Sequence, residues 1–157
     1  MVDYEAGCPA RIQHLTKVYA FATLIALQER CDALTLEIIE AAALVHDIGI
    51  KPALAQFGSD EGPVQERLGP PVALEMLNSL SYDPAVVNRV CQLVGRHHTY
   101  TDIDGVDCQI LIEADFLVNC YEGKYSTAAI ESIEDNIFRT ATGSRLLQTM
   151  FLSGTQK

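Results

Sequence analysis

The segment running from Asp107 to Tyr121 constrains the fold more than any other: DCQILIEADFLVNCY is apolar on almost every helical face, yet it carries Glu113 and Asp115. A helix of that kind has no side to turn to water, so it must run through the middle of a protein with other elements around it. The remaining chain supplies such neighbours. Apolar residues recur at helical spacing almost throughout, and no stretch alternates with period two between hairpin turns. The expected fold is all-α, a single-domain bundle of about six to seven helices. With 157 residues, 48% of them hydrophobic, a chain of this length buries about 68 to 70% of its unfolded surface, enough for a core without disulfide or metal staples.

Local signals place the helices. The first runs from about Pro9 or Ala10 to Arg30, with His14, Val18, Phe21 and Ile25 on one apolar face, so a histidine occupies a core position. Thr35 is the expected N-cap of a second helix through EIIEAAALVHDI. Gly49 is expected to stop it in the left-handed C′ position, which puts His46 and Asp47 in its last turn. Residues 50–64 hold two prolines and two glycines and read as the longest loop, able to cover a site. A third helix follows from about Gln65 to Leu80. Asp83 and Pro84 open a fourth that ends near His97 and His98, and Asp107 caps the fifth, central one. Ser126 or Thr127 then caps one or two short helices reaching about Phe151, before a frayed tail.

Charge and cysteine usage exclude several function classes. Eleven Lys and Arg against 21 Asp and Glu give a net charge of -10, the wrong sign for holding duplex nucleic acid. A small anionic substrate is allowed where a local cation outweighs that field. Five cysteines with no CxxC pair do not make a disulfide framework. No apolar run approaches the roughly 18 residues of a membrane span, and the first residues lack a signal-type apolar stretch, so a cytoplasmic protein without membrane partners is expected. The chain has no GxxxxGK[ST] phosphate loop, and TDIDGVD lacks the spacing of a calcium loop.

Four ionisable residues stand where core residues belong: His14, the adjacent His46 and Asp47, and Asp115. An isolated buried carboxylate is costly, and a carboxylate at a helix C-terminus faces the negative end of the dipole. A bound cation relieves both. Taken singly each residue has a bland explanation, since a lone core histidine is more often hydrogen-bonded structure than ligand. Together, two imidazoles and two carboxylates form a nitrogen–oxygen set that suits Mn, Fe, Zn, Co or Mg-like ions.

The pattern H…HD…D, carried by His14, His46, Asp47 and Asp115 within AAALVHDIG and LIEADFLVN, resembles the HD-domain superfamily of metal-dependent phosphohydrolases. The resemblance covers roughly residues 10–122, with the short helices at about 126–151 outside it. RHHTYT agrees as well, and FRTATGSRLL is similar to small bacterial members. It implies a helical bundle with His14, His46, Asp47 and Asp115 as ligands of one divalent transition metal, Mn, Fe, Co, Ni or Zn, with Mg allowed. His98 matches a histidine that helps hold a second metal in the diadenosine tetraphosphate hydrolase branch. Leu68, however, stands where that branch has another histidine, so one ion is expected.

The function so implied is hydrolysis of a nucleotide or other small phosphate ester, with Asp47, Asp115 and His98 as catalytic groups. The alternative is a sensor module that binds metal and nucleotide without turnover. Lys51, His97 and Arg96 are the candidates for substrate contact. Lys51 lies one place beyond the lysine that many members carry in HDIGK, and it reads equally as a solvated loop lysine. Because neighbouring side chains on a helix diverge by about 100°, only one of His97 and His98 is expected to face the cleft, with His98 preferred. Glu113 is either support for a ligand histidine or a buried ion pair. A homodimer is allowed.

Overall fold

The computed structural model describes residues 1–153. The frayed tail expected after Phe151 lies largely outside them. Every regular element among the described residues is helical. The central helix expected from its composition is α6 (Val106–Glu122), in which Ile110, Leu111, Ile112, Ala114 and Leu117 are buried. Around it stand α1 (Pro9–Gln28) and α2 (Ala33–Val45), which pack on each other and on α6. The α2 face is Ile38, Ile39, Ala41, Ala42, Ala43 and Val45, all buried, and its alanines let neighbouring backbones come close. A fully buried Ile or Leu contributes about 1.5–3 kcal/mol by leaving water, so the apolar run of α6 is a substantial part of core stability.

The helix that carries the histidine–aspartate doublet ends differently from expectation. Its N-cap is Asp32, whose carboxylate accepts from the Thr35 amide at 2.8 Å, and Thr35 lies inside the first turn. The α-helix stops at Val45, and His46–Gly49 form a separate 3-10 turn. Gly49 is not left-handed, with φ at -71°. It is needed for proximity, because a Cβ there would lie 2.5 Å from the Gln65 carbonyl oxygen. That oxygen belongs to α4 (Gly62–Ser79), and the tight crossing presses the His46–Asp47 turn against this helix.

The expected long loop over residues 50–64 is mostly α3 (Ile50–Phe57). Pro52 sits in its first turn, where a missing N–H costs nothing, and Gly58 ends it with φ at 64°. Prolines and glycines here punctuate a helix at its ends instead of abolishing it. Asp83 caps α5 (Pro84–Val94) through the Ala85 amide, as its sequence signal indicates. Asp107 does not cap α6: Gly105 holds that position, and the Asp107 carboxylate takes two hydrogen bonds from Arg89, at 2.7 and 2.8 Å. Ser126 caps α7 (Thr127–Ile137), and α8 (Ala141–Leu147) runs on into a π-helical turn at Gln148–Leu152. No helix of the described residues is long and apolar enough to cross a membrane.

Candidate metal centre

Three elements bring the four singled-out residues together. His14 points inward from α1, His46 and Asp47 from the 3-10 turn, and Asp115 from α6. His14 Nε2 lies 3.1 Å from Asp115 Oδ1 and 3.6 Å from Asp47 Oδ2. His46 Nε2 lies 3.6 Å from the same Asp115 oxygen and 3.7 Å from Asp47 Oδ1. His46 is 0% exposed, and His14 and Asp115 are 8% and 7% exposed.

The partners on the far side of each ring decide which nitrogen carries a proton. His46 Nδ1 lies 3.0 Å from the Ala43 carbonyl, which can only accept, so Nδ1 donates and Nε2 keeps its lone pair. His14 Nδ1 lies 2.9 Å from a Glu122 carboxylate oxygen, with the same consequence. With both rings neutral, the two Nε2 atoms would face each other at 3.4 Å with no hydrogen between them, beside carboxylates. Asp115 Oδ1 is buried without a hydrogen-bond partner. Convergent lone pairs repel one another unless a cation or added protons lie among them, and this nitrogen–oxygen set is one that divalent ions take.

Protons take that part in the protein alone. Burial opposes charge on His46, but Asp47 and Asp115 overcome it and hold its pKa up to about 9. Burial likewise opposes charge on His14, and Asp115 outweighs it. The carboxyls of Asp47 and Asp115 are held below the usual range, since the adjacent imidazoles outweigh burial.

Both members of the histidine pair reach the centre, where only one was expected to. His97 is 2% exposed, donates from Nδ1 to the Val94 carbonyl at 2.9 Å and places Nε2 3.4 Å from Asp47 Oδ1. His98 buries an unpartnered Nε2, and one ligand-type atom from each of Asp47, His97 and His98 lies within 4.8 Å of the others. The 100° fan of a helix does not apply, because α5 ends at Val94 and both histidines sit in the turn beyond it. Glu66 grips that turn, accepting from the His98 amide and the Thr99 hydroxyl at 3.0 Å each. Burial and His97 push the His98 pKa down. Tyr100 stands close by, its hydroxyl 3.5 Å from His98 Nδ1 and its ring 5.1 Å from that of Phe116. Burial and then Asp115 push its pKa up to about 12, so the hydroxyl keeps its proton.

Three other candidates are engaged elsewhere. The Lys51 ammonium donates to the Tyr4 carbonyl at 2.5 Å and lies over the Tyr4 ring, while the Tyr4 hydroxyl donates to the Ile48 carbonyl, so Lys51 ties the N-terminal segment to the doublet's turn. Arg96 donates to the Asp102 carbonyl at 2.7 Å and pairs with the Asp104 carboxylate at 3.4 Å. Glu113 is fully buried but serves the segment between α7 and α8, accepting from the amides of Arg139 and Thr140 at 2.6 and 2.9 Å and from the Thr140 hydroxyl. The carboxylate that supports a ligand-type histidine is Glu122.

Arg11 escaped the sequence reading. It pairs with Glu5 at 3.1 Å and donates to Cys8 Sγ at 3.4 Å, yet its Nη1 is buried without an acceptor. Burial works against its charge, but Cys8, Glu5 and, more weakly, Asp47 sustain it. The signal available in the sequence was its position three residues before His14, one turn away on the same helix face.

Comparison with known proteins identifies the family and the fold. A crystal structure of a predicted HD superfamily hydrolase from an uncultured Thermotogales bacterium is similar in fold, with a TM-score of 0.63 and 29% identity over 91% of this chain and 75% of that one. Among curated proteins none matches the chain significantly. The family model described as HD domain matches residues 11–139, an interval that contains all four clustered side chains and both histidines of the adjoining turn. On that match over most of its length, the chain belongs to the HD-domain family of metal-dependent phosphohydrolases.

Proposed function

We propose that this protein hydrolyses a small phosphate ester, a nucleotide or related phosphorylated metabolite, at one divalent ion held by His14, His46, Asp47 and Asp115. The observation that carries this reading is the convergence of two Nε2 lone pairs and the unpartnered Asp115 oxygen on one buried point. A bound divalent ion there supplies an activated water and an electrophile for the phosphoryl group. Mn, Fe, Co, Ni, Zn and Mg all suit the donor types.

The chain's own groups do the rest. Asp115, buried and flanked by imidazoles that keep it ionised, holds the ion and orients the water beside it. His98, whose burial favours its neutral form, exchanges protons through Nε2. His97, with Nε2 3.4 Å from Asp47, is the candidate for substrate contact. In a chain of net charge -10, Arg11 contributes a positive charge to the field around Asp47. Lys51 and Arg96 are occupied by backbone carbonyls and play no part in this scheme.

Purified protein is assayed for bound metal, then against nucleotides and generic phosphoesters with Mn, Co, Ni or Mg added. Metal-dependent phosphate release that disappears in folded His46→Ala and Asp47→Ala variants is the expected result. Release that ignores both metal and these substitutions overturns the reading, and a nucleotide-induced thermal shift without released phosphate turns it into the sensor.

A further inference from the structure

Asp115 and Glu122 stand seven residues apart on α6, two helical turns, and so share one face. Both reach the same imidazole. Asp115 Oδ1 lies 3.1 Å from His14 Nε2, and Glu122 Oε2 lies 2.9 Å from His14 Nδ1. The ring of His14 is thus held at both nitrogens by carboxylates of a single helix. The second Glu122 oxygen accepts from the Lys17 ammonium, and Lys17 follows His14 by three residues on α1, on the same side. The four side chains close a loop between α1 and α6, with the imidazole at its inner end and the ammonium at its outer end.

Resting on the metal reading above, we infer that Glu122, anchored by Lys17, is a positioning residue that sets the affinity of the centre for its ion by fixing the proton of His14 on Nδ1. A carboxylate that accepts from the far nitrogen of a ligand imidazole fixes its tautomer and orientation and raises its basicity. His46 receives the same service from a neutral carbonyl of its own turn. The two histidines therefore differ: His46 is oriented by local backbone that any sequence at Ala43 provides, whereas His14 depends on a charged side chain 108 residues away. The Glu122 side chain is 32% exposed and that of Lys17 39%, and an exposed ion pair of this sort adds little to folding stability. An effect on metal affinity is then separable from an effect on the fold.

The test uses the full-length chain, stripped of metal, as wild type, Glu122→Gln and Glu122→Ala. Each is titrated with Co(II) by visible absorption and with Mn(II) by calorimetry, and the thermal midpoint of the metal-free form is recorded. Loss of such a carboxylate typically costs about 10- to 100-fold in affinity. The expected order is wild type tightest, Glu122→Ala weaker by that factor with an altered Co(II) spectrum, and Glu122→Gln between them, because its amide oxygen still accepts from Nδ1 without the charge. Metal-free midpoints within a few degrees of wild type are expected for both. Equal affinities and spectra across the three overturn the inference while leaving the metal reading standing. A wild type that binds neither ion overturns both. If Glu122→Ala unfolds, the Glu122→Gln titration decides alone, and wild-type affinity there overturns the role.

Discussion

Glu113 and Asp115 sit two residues apart on the same buried helix, are 0% and 7% exposed, and have opposite fates. Glu113 accepts from two backbone amides, a hydroxyl and the Gln109 amide, the last at 2.8 Å, so both its oxygens are satisfied. Asp115 meets imidazole nitrogens whose protons are drawn to the other side of each ring, and its Oδ1 has no partner. The difference teaches how to read a buried acid. Donors aimed at it make it structure, and lone pairs aimed at it make it a place for a cation. Residues 113 and 115 face about 200° apart around the helix, so one meets the C-terminal helices and the other meets α1 and the doublet's turn.

Breaking each side of this contrast should have a different signature. Asp115→Asn removes a charged donor from the centre. We expect metal-dependent turnover to fall by about 1000-fold or more, roughly 4 kcal/mol in activation terms, with a cooperative thermal transition retained. Comparable turnover would return Asp115 to the structural class. Glu113→Ala leaves the Arg139 and Thr140 amides and a hydroxyl without their acceptor and should destabilise the fold by about 3–5 kcal/mol. Its melting point should drop by roughly 6–20 °C while metal affinity per folded molecule stays at the wild-type value. Gly143→Ala sharpens the same point, because a Cβ there would lie 2.0 Å from Glu113 Oε2. A loss of about 1–3 kcal/mol is expected, read by denaturant unfolding, with no change at the metal centre.

Acidity acts on the metal centre through its own imidazoles and carboxylates. In metal-free protein the His46 pKa is raised to about 9, so its stabilising contribution is fully present below its unfolded value near 6.5 and fades as pH rises through 9. Asp115 and Asp47 are depressed, so their contribution is present above about pH 4 and fades on acidification. The centre therefore stabilises the metal-free fold most between about pH 4 and 6.5. Ligand imidazoles must shed protons to take an ion, so added Mn(II) or Zn(II) should raise the melting point more at pH 8 than at pH 6. A shift independent of pH would show that the ion does not displace these protons. The smallest effect belongs to Lys51→Ala and Arg96→Ala, each expected to leave turnover within about threefold of wild type and to cost about 1 kcal/mol or less by thermal unfolding. A large loss of turnover in either would restore it as a substrate contact.

Periodicity was enough to expect helices and to make α6 the central one, because a segment apolar all round has no other place. It was enough to mark His14, His46, Asp47 and Asp115, because each violates the apolar pattern it sits in. Turn chemistry misled where prolines and glycines clustered: Pro52 and Gly58 bound α3 at its ends, and composition alone does not distinguish a helix with punctuated ends from a loop. Its place after the doublet suits Gly49 to a left-handed cap, but it is a packing glycine, a difference visible only once α4 lies across it.

Local pattern alone marks the apolar run of α6, which gains by leaving water, and the ionisable groups embedded in apolar faces, which lose by it, since hydrophobic periodicity survives without knowing the neighbours. Which acid receives donors and which receives lone pairs was decided by tertiary structure alone. Glu122 and Lys17 gripping His14, and both His97 and His98 turning toward the doublet, depend on where separate helices cross. Hydrogen bonds act over about 3 Å, and no spacing along one chain specifies a distance across two helices.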